Sequence, residues 1–273
     1  MQFLDEQMLF NVSTTTLSSS GCVLGVDVSE YNKYATNTIG LNWKKAYDGG
    51  VRFAFLRSMG FNSSTNLPRK DRDIDLNWKQ VKENGILRGT YLFWVWIREP
   101  QVHIDMLNKI YVNGYDGELP MVVDLEPFAN WGNYPPRLTL LIKLEKMLAE
   151  VDKWSKRSTI FYSNPSTISY LSPIPTWLKD RNLWIANYNV SKPDLRGQWS
   201  RWDFFQFTDR MDASLYGMDS KQVDGNWWNG NLDELRKFCN LRTITPPPHV
   251  YTIEDRVHLL ETWAGSMGYN IPK

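Results

Sequence analysis

The feature that most constrains the fold of this chain is a repeated alternation of short apolar, β-rich runs with segments of helical periodicity. We predict strands at residues 23–28, 51–58, 86–96, 119–126, 159–163, 183–188 and 202–208. Helical patterns stand at residues 42–48, 73–84, 100–113, 136–156 and 232–238. Parallel strands need a crossover connection, which is usually a helix. The alternation therefore predicts an α/β fold, and 273 residues suit a single irregular (β/α) TIM-like barrel.

The chain changes character beyond residue 240. Three consecutive prolines, Pro246 to Pro248, predict a stiff, extended linker. The residues after it carry apolar side chains at helical spacing, which predicts a short amphipathic C-terminal helix. One short helix cannot form a core of its own, so it must dock on the barrel, self-associate or bind a partner. The predicted segments are an N-terminal arm (1–20), the barrel (21–240), a Pro-rich linker (241–250) and a helical extension (251–273).

Charge and hydropathy argue against several classes of function. The formal net charge of +1 is unlike that of a nucleic-acid binder, which needs a basic surface for the phosphate backbone. No apolar stretch approaches the roughly 18 residues that a membrane span requires. Residues 1–20 contain Asp5 and Glu6 but no basic segment before their short apolar piece. This stretch therefore does not look like a secretory signal, so we expect either that another route takes the protein to its target or that a leader is missing from this chain.

Histidine and cysteine patterns indicate neither a metal site nor a cofactor. His103, His249 and His258 are scattered and lack the spacing of zinc ligands. Cys22 and Cys239 stand at the two edges of the barrel region, where a first strand and a last helix can lie close together, so a disulfide bond is geometrically possible. Two unbridged cysteines are the favoured interpretation, because no secretion signal indicates an oxidising compartment.

Two carboxyl groups stand at the end of one predicted strand, in the run Met121-Val122-Val123-Asp124-Leu125-Glu126. Successive strand side chains point to opposite faces, so Asp124 and Glu126 project from the same side, with Cα atoms roughly 6.5 Å apart. Two acids at the end of a buried strand are costly to desolvate unless they are paired or titrated. The pair suits chemistry that needs one protonated and one ionised carboxyl group. A helix cap or an arginine partner is the structural alternative.

Other polar residues also fall where predicted strands end. Asp27 ends the first predicted strand, Gln206 lies near the end of the last one, and Asp224 follows soon after. In barrels of this type the carboxyl ends of the strands meet at one mouth, where the reactive groups lie. The acids that we expect to converge at this mouth are Asp27, Asp124, Glu126 and Asp224.

With these residues in place, the chain resembles glycoside hydrolase family 25, the Chalaropsis-type lysozymes, over about residues 22–240. Gly25-Val26-Asp27-Val28-Ser29 resembles the opening strand of the family, and Asp124-Leu125-Glu126 its catalytic Asp-x-Glu. Further pieces follow in the family's order: Asp73 with Asn77, Gly85-Ile86 with Gly89, Tyr91 with Phe93, Phe161-Tyr162-Ser163, Leu183-Trp184-Ile185-Ala186 with Tyr188, Phe205-Gln206-Phe207 and Val223-Asp224-Gly225-Asn226. Asn32 and Leu92 depart from the pattern, at positions where glutamine and histidine are common. Neither departure removes a carboxylate.

The resemblance implies hydrolysis of the β-1,4 bond between N-acetylmuramic acid and N-acetylglucosamine in peptidoglycan. Such hydrolysis needs an acid that protonates the leaving oxygen. We assign this role to Glu126, because an apolar strand end and three neighbouring acids favour its protonated form. By analogy with other Asp-x-Glu barrels, Asp124 orients the acetamido group of the substrate. An inverting reaction, in which Asp224 or Asp27 activates water, remains open.

Candidate sugar-binding residues come from the resemblance and from the high aromatic content. From the matched motifs we expect contacts with the sugar from Tyr91, Phe93, Tyr162, Tyr188, Gln206 and Asn226. Most of the 13 tryptophans should belong to the core, because aromatic side chains carry much of any core. The aromatic residues that we predict as candidates for stacking on the sugar are Trp94, Trp96, Trp131, Tyr134, Trp227 and Trp228.

The expected partner is bacterial peptidoglycan. The lack of a signal peptide favours a bacteriophage or prophage lysin, which is made in the host cytoplasm and reaches the cell wall after release, or which is carried on the virion. The alternative is a virion structural or assembly component whose barrel binds or locally degrades the wall. In that case residues 1–20 and 251–273 would dock to phage structural proteins or to another copy. A catalytically idle glycan-binding barrel is disfavoured because all four acids are present.

Overall fold

The computed structural model describes residues 21–128 and 131–240. Within these ranges, nine strands belong to one sheet. They are β1 (Val23–Val28), β2 (Phe53–Phe61), β3 (Pro68–Lys70), β4 (Leu87–Phe93), β5 (Val122–Asp124), β6 (Ile160–Ser163), β7 (Leu183–Ala186), β8 (Phe204–Asp212) and β9 (Gln222–Trp228). The predicted N-terminal arm, Pro-rich linker and C-terminal helical extension lie outside the described residues.

The sheet closes on itself to form a barrel. β1 pairs in parallel with β2, from Gly25 beside Phe53 to Val28 beside Leu56. From β2 the parallel pairing continues through β4, β5, β6, β7 and β8. β9 then runs antiparallel between β8 and β1, and β3 is an antiparallel partner of β2 outside the ring. The irregular α/β barrel predicted from the sequence is therefore confirmed.

Helices connect most of the parallel strands. Those of the described residues are α1 (Trp43–Asp48), α2 (Ile74–Glu83), α3 (Pro100–Ile110), α4 (Arg137–Ser155), α5 (Pro165–Leu171), α6 (Thr176–Lys179) and α7 (Leu232–Asn240). Local sequence sets their ends. The side chain of Asn42 accepts the backbone N–H of Lys45 at 3.0 Å and so caps α1. Pro100 lies in the first turn of α3, where a backbone N–H has no partner within the helix.

Strand alternation divides the apolar side chains into two layers. On β2, Phe53 and Phe55 belong to the cluster inside the barrel, whereas Ala54 and Leu56 belong to the cluster between the strands and the helices. The inner cluster includes Val23, Phe53, Phe55, Leu119, Val122, Ile160, Trp184, Phe204 and Trp228. The barrel is consequently a packed core below its mouth.

Aromatic rings fill the middle of this inner layer. The rings of Phe55 and Trp184 stack with centroids 4.5 Å apart, and Phe204 meets Phe53 and Phe55 edge-on at 5.3 and 5.0 Å. Gly25 makes room for them, because a Cβ atom at this position would lie 2.3 Å from the ring of Phe53. The rings form an apolar floor beneath the mouth of the barrel.

Membrane spans, metal clusters and disulfide bonds are all absent from the residues that the structure describes. In the ranges 21–128 and 131–240, no helix has the length and apolar character needed to cross a membrane. The same ranges hold no group of three or more His, Cys, Asp or Glu side chains arranged to hold a metal ion. Cys22 and Cys239 are both half-buried, and no disulfide bond joins them.

Candidate active site

A cavity of about 680 Å³ opens at the carboxyl ends of the parallel strands. Its volume lies within the range of about 300–1,000 Å³ that is usual for ligand sites. Its acidic lining residues are Asp27, Asp124, Glu126 and Asp224. Its aromatic lining residues are Tyr31, Phe61, Tyr91, Phe93, Phe128, Tyr162, Trp184 and Tyr188. The other lining residues are Arg57, Gly60, Asn62, Ser63, Arg69 and Gln206.

The four acids reach this cavity from three parts of the barrel. Asp27 on β1 lies opposite Asp224 on the antiparallel β9. Asp124 is the last residue of β5, between β4 and β6. Glu126 follows two residues later, and the alternation of side chains along an extended segment directs it to the same cavity. The structure thus brings together all four acids that sequence analysis selected.

Gln206 lies at the centre of a hydrogen-bond network between these acids and two tyrosines. Its Nε2 donates to Oδ2 of Asp27 at 2.8 Å and to Oδ2 of Asp224 at 3.1 Å. Its Oε1 accepts the hydroxyl groups of Tyr162 at 2.8 Å and Tyr188 at 2.9 Å. The amide has no donor or acceptor left for a sugar. Gln206 therefore supports the acids in this structure. Because it also lines the cavity, its contact with a sugar stays a prediction.

Asn226 also supports site residues, namely Asp27 and Trp184. It is fully buried, its Nδ2 donates to Oδ2 of Asp27 at 2.8 Å, and its Oδ1 accepts Nε1 of Trp184 at 2.8 Å. It does not line the cavity, so the prediction that it contacts the sugar is not supported. Asn226 instead fixes one oxygen of Asp27 and holds the indole ring that forms the floor.

The electrostatic environment of the carboxyl groups favours their protonated forms. Burial, assisted by the negative charge of Asp27, raises the pKa of Glu126 to about 7. Burial also raises the pKa of Asp124 well above its usual range. The charges of Glu126 and Asp27 act in the same direction, and only Arg57 opposes them. Glu126 can therefore carry a proton near neutral pH.

Arg57 is a cation inside this acidic site. Its Nε donates to Oδ2 of Asp71 at 2.8 Å, and its Nη2 donates to Oε1 of Glu30 at 3.0 Å. Its guanidinium lies 4.9 Å from the ring centroid of Tyr31, which is 75% exposed at the rim. Arg69 of β3 donates to the same Glu30 and ties the β2–β3 hairpin to the rim. The two carboxylates fix the orientation of the Arg57 guanidinium.

Arg57, Phe61 and Trp184 line the cavity but were not predicted as site residues, although the sequence carried a signal for two of them. Phe53 and Phe55 were recognised as residues of one strand, and side chains two residues apart share a face. Arg57 therefore continues the inward face of β2, where a charged residue near the carboxyl end of a barrel strand indicates the site. The same rule applies to Trp184 on β7. Phe61 lies beyond the predicted end of its strand, so the rule did not reach it.

One wall of the cavity is aromatic. Phe61 lies 5.7 Å from Phe93 and 4.8 Å from Phe128, measured between ring centroids, and all three line the cavity. Trp131 packs behind them, 5.0 Å from Phe61, and its Nε1 donates to Oδ1 of Asn66 at 3.0 Å. An aromatic wall opposite polar groups matches the apolar and hydroxylated faces of a sugar ring. Phe93 lines this wall and Trp131 packs behind it, and the contact of Phe93 with a sugar stays a prediction.

The predictions for the other tryptophans need correction. Trp94 and Trp96 are 1% and 4% exposed and belong to the outer cluster. Phe93 faces the cavity, so alternation turns Trp94 toward the helices. Trp227 and Trp228 are 3% and 6% exposed and pack in the two core layers. These four residues fill the core and do not line the cavity. Tyr134 also packs against the outer cluster.

A closed (β/α) barrel whose mouth holds a protonatable glutamate beside buried aspartates and an aromatic wall is suited to the hydrolysis of glycosidic bonds. The chain belongs to glycosyl hydrolases family 25, whose family model matches residues 26–215. It is therefore a glycoside hydrolase of the lysozyme type, and the resemblance drawn from the sequence motifs is confirmed.

Individual relatives are similar at low identity. The chain is 26% identical over 238 residues to the uncharacterized protein YegX of Escherichia coli (strain K12). This alignment covers 84% of this chain and 78% of that protein. It is 22% identical over 228 residues to Lysozyme M1 of Streptomyces globisporus, in an alignment that covers 80% of this chain and 71% of that protein. A bacterial lysozyme structure from Streptomyces coelicolor superposes with a TM-score of 0.68 at 21% identity, over 81% of this chain and 98% of that one. This structural likeness shows a shared fold.

Proposed function

We propose that this enzyme hydrolyses the β-1,4 bond between N-acetylmuramic acid and N-acetylglucosamine in peptidoglycan, with Glu126 as the general acid. The observation that carries the proposal is the position of Glu126. It is half-buried in the cavity, two residues beyond Asp124, with a pKa raised to about 7. A carboxyl group in this state can donate its proton to the leaving glycosidic oxygen near neutral pH.

The substrate class is supported by the relatives and by the shape of the site. Lysozyme M1 and the lysozyme from Streptomyces coelicolor carry the name of enzymes that cleave this polymer. The cavity offers an aromatic wall to the apolar face of a sugar, and it offers carboxyl groups to hydroxyl and acetamido groups. A polymer of alternating acetylated amino sugars offers groups that match both kinds of side chain.

Asp124 is suited to orienting the acetamido group of the substrate. Its Oδ1 is buried and has no hydrogen-bond partner among the described residues. A buried acceptor without a donor is costly, and the acetamido N–H of a bound sugar would supply the donor. The acetamido oxygen would then be directed at the anomeric carbon while Glu126 protonates the leaving oxygen. Inversion with water activated by Asp27 or Asp224 is the rival route.

The first experiment is digestion of isolated peptidoglycan by the purified protein, with fragments analysed by mass and by the identity of their reducing ends. We expect every new reducing end to be N-acetylmuramic acid. Reducing ends in N-acetylglucosamine would mean that the other bond is cut, and no release from several wall types would contradict the proposal. The anomeric form of the first product, followed by proton NMR, separates retention from inversion.

The pH dependence of kcat/KM is a second prediction. Because Glu126 must be protonated to act as an acid, kcat/KM should fall above about pH 7, by about tenfold per pH unit once most of Glu126 is ionised. The measurement is kcat/KM on soluble glycan chains at constant ionic strength, with circular dichroism at each pH to verify the fold. A profile that stays flat to pH 9 would exclude Glu126 as the acid.

A further inference from the structure

The side-chain amide of Gln206 lies between the carboxyl groups of Asp27 and Asp224, and all of its hydrogen-bonding positions are occupied. It is 3% exposed, its two N–H donors go to Asp27 and Asp224, and its oxygen accepts Tyr162 and Tyr188. Both amide donors and both lone pairs are therefore used inside the protein. Gln206 is held by four bonds from four different segments of the chain.

The chemistry of its neighbours fixes which way this amide faces. Tyrosyl hydroxyl groups can donate to the amide oxygen, and carboxylate oxygens can only accept from the amide nitrogen. With the amide reversed, its oxygen would face the carboxyl oxygens of Asp27 and Asp224. All four hydrogen bonds of the amide therefore form only when Nε2 faces the acids, and Tyr162 and Tyr188 hold the amide in this orientation.

The two acids receive unequal numbers of donors. Oδ2 of Asp27 accepts two short amide bonds, from Gln206 and Asn226, both 2.8 Å long. Oδ2 of Asp224 accepts the longer bond of 3.1 Å from Gln206. Asp27 and Asp224 lie opposite each other on paired strands, and one amide nitrogen reaches an oxygen of each, so two negative charges here would repel each other. Hydrogen bonds to a charged acceptor stabilise the charge, so the anion belongs on Asp27.

We propose that Gln206 fixes Asp27 and Asp224 as a one-proton pair, in which Asp27 carries the negative charge and Asp224 carries the proton. Asp224 is then a hydrogen-bond donor and does not act as the base that activates water. Gln206 is a positioning residue, since it acts through the two acids. The inference rests on the proposed function for its mechanistic meaning, and the protonation states themselves can be measured without any activity.

The surroundings of the pair agree with this arrangement. The titratable groups that face it from neighbouring segments are Tyr91, Asp124, Glu126, Tyr162, Tyr188 and Asp209. Arg57 is a cation that lines the same cavity, but the carboxylates of Asp71 and Glu30 already bind its guanidinium, so a second negative charge on the pair would still be unfavourable. Burial and the charge of Asp27 raise the pKa of Asp224 to about 9. Burial also raises the pKa of Asp27, but the hydrogen bonds from Asn226 and Gln206 oppose this rise.

The test is a carbon-13 NMR titration of the 273-residue chain, labelled at its aspartate carboxyl carbons. Asp27→Asn and Asp224→Asn assign the two signals, and Asp233→Asn, at an exposed position of α7, is the control for assignment by subtraction. At neutral pH we expect a protonated signal for Asp224 and an ionised one for Asp27, with Asp224 losing its proton near pH 9. An ionised Asp224 or a protonated Asp27 at neutral pH overturns the proposal.

Gln206→Met tests the positioning role, because it keeps the length of the side chain and removes the amide. Asp27 then loses one of its two amide donors, so the pH at which the pair takes up its second proton should rise by about one unit. Tyr188→Phe removes one of the two donors that hold the Gln206 amide and should give a smaller shift in the same direction. Unchanged titration in either folded variant overturns the role of Gln206.

The kcat values of two Asp224 variants show whether Asp224 acts as a hydrogen-bond donor or as the base that activates water. If Asp224 donates a hydrogen bond, Asp224→Asn should keep about tenfold more of kcat than Asp224→Ala, because the amide N–H replaces the carboxyl proton. If Asp224 activates water, both variants should be equally inactive, which overturns the proposal. Failure to release fragments from several wall types would refute the proposed function and leave the NMR result standing, so the two failures are distinguishable.

Discussion

A Glu126→Gln protein should lose about 10²–10⁴ in kcat on peptidoglycan while it keeps the fold. The amide has nearly the shape of the carboxyl group but cannot transfer a proton to the leaving oxygen. Stability should not fall. Burial raises the pKa of Glu126 in the folded state, so ionisation costs stability as the pH rises above the ordinary value of 4.5. Glutamine removes this cost, and the melting temperature above pH 7 should be equal or higher.

The matched control for this prediction is Glu83→Gln. Glu83 is an exposed residue of α2 outside the cavity, so its replacement makes the same chemical change without touching the site. Its kcat should be unchanged. Wall lysis at a near-normal rate by Glu126→Gln, with the control normal, would remove Glu126 from the role of general acid. Lysis lost together with the native circular dichroism spectrum would instead indicate a structural role.

Gly25→Ala should destabilise the barrel by about 1–3 kcal/mol or more, which lowers the melting temperature by roughly 2–12 °C. The added methyl group would lie 2.3 Å from the ring of Phe53, inside the layer of rings that fills the barrel. No methyl group fits at that distance, so the ring must move. Phe53 is fully buried against Phe55 and Phe204 and has little space to do so. Denaturant unfolding of the purified variant measures the loss.

A double-mutant cycle identifies the cause. The nearest atoms to the added methyl group all belong to Phe53, so Phe53→Leu should relieve the contact. The double variant should then lose less stability than the two single variants added together, with a coupling of about 0.5–3 kcal/mol. Gly60→Ala is the control, because its methyl group would lie 3.5 Å from Arg57, an ordinary contact distance. Additive losses in the cycle would contradict a clash between Gly25 and Phe53.

The parts of the fold that sequence could predict are those in which local pattern and tertiary structure agree. The strand at 23–28 was predicted with its observed bounds, because Val23, Val26 and Val28 combine β propensity with burial. The segment 222–228 was not predicted as a strand. Asp224, Gly225 and Asn226 are rare in strands, and pairing with β1 and β8 on both sides overrides their local preference.

Some residues of the candidate site could likewise be predicted from local sequence, and others could not. Asp27, Asp124 and Glu126 could be found because a carboxyl group at the end of an apolar strand is conspicuous in the chain. The role of Gln206 could not be found, because its partner Asp27 is 179 residues away and only closure of the barrel brings them together. The error at Trp94 had a different source. Strand alternation was applied to the acids but not to the aromatic residues around Phe93.

The order of the strands around the barrel also dictates when a newly made chain can become active. Asp27 lies on β1 and its partner Asp224 on β9, and the antiparallel pairing of these strands joins the beginning of the barrel to its end. A chain still held on the ribosome at residue 200 already contains Asp124 and Glu126, but its β1 has no neighbour on one side. Synthesis must therefore pass β9 before the set of four acids exists. If all four acids are needed for hydrolysis, we expect wall-degrading activity only from chains whose translation has passed β9.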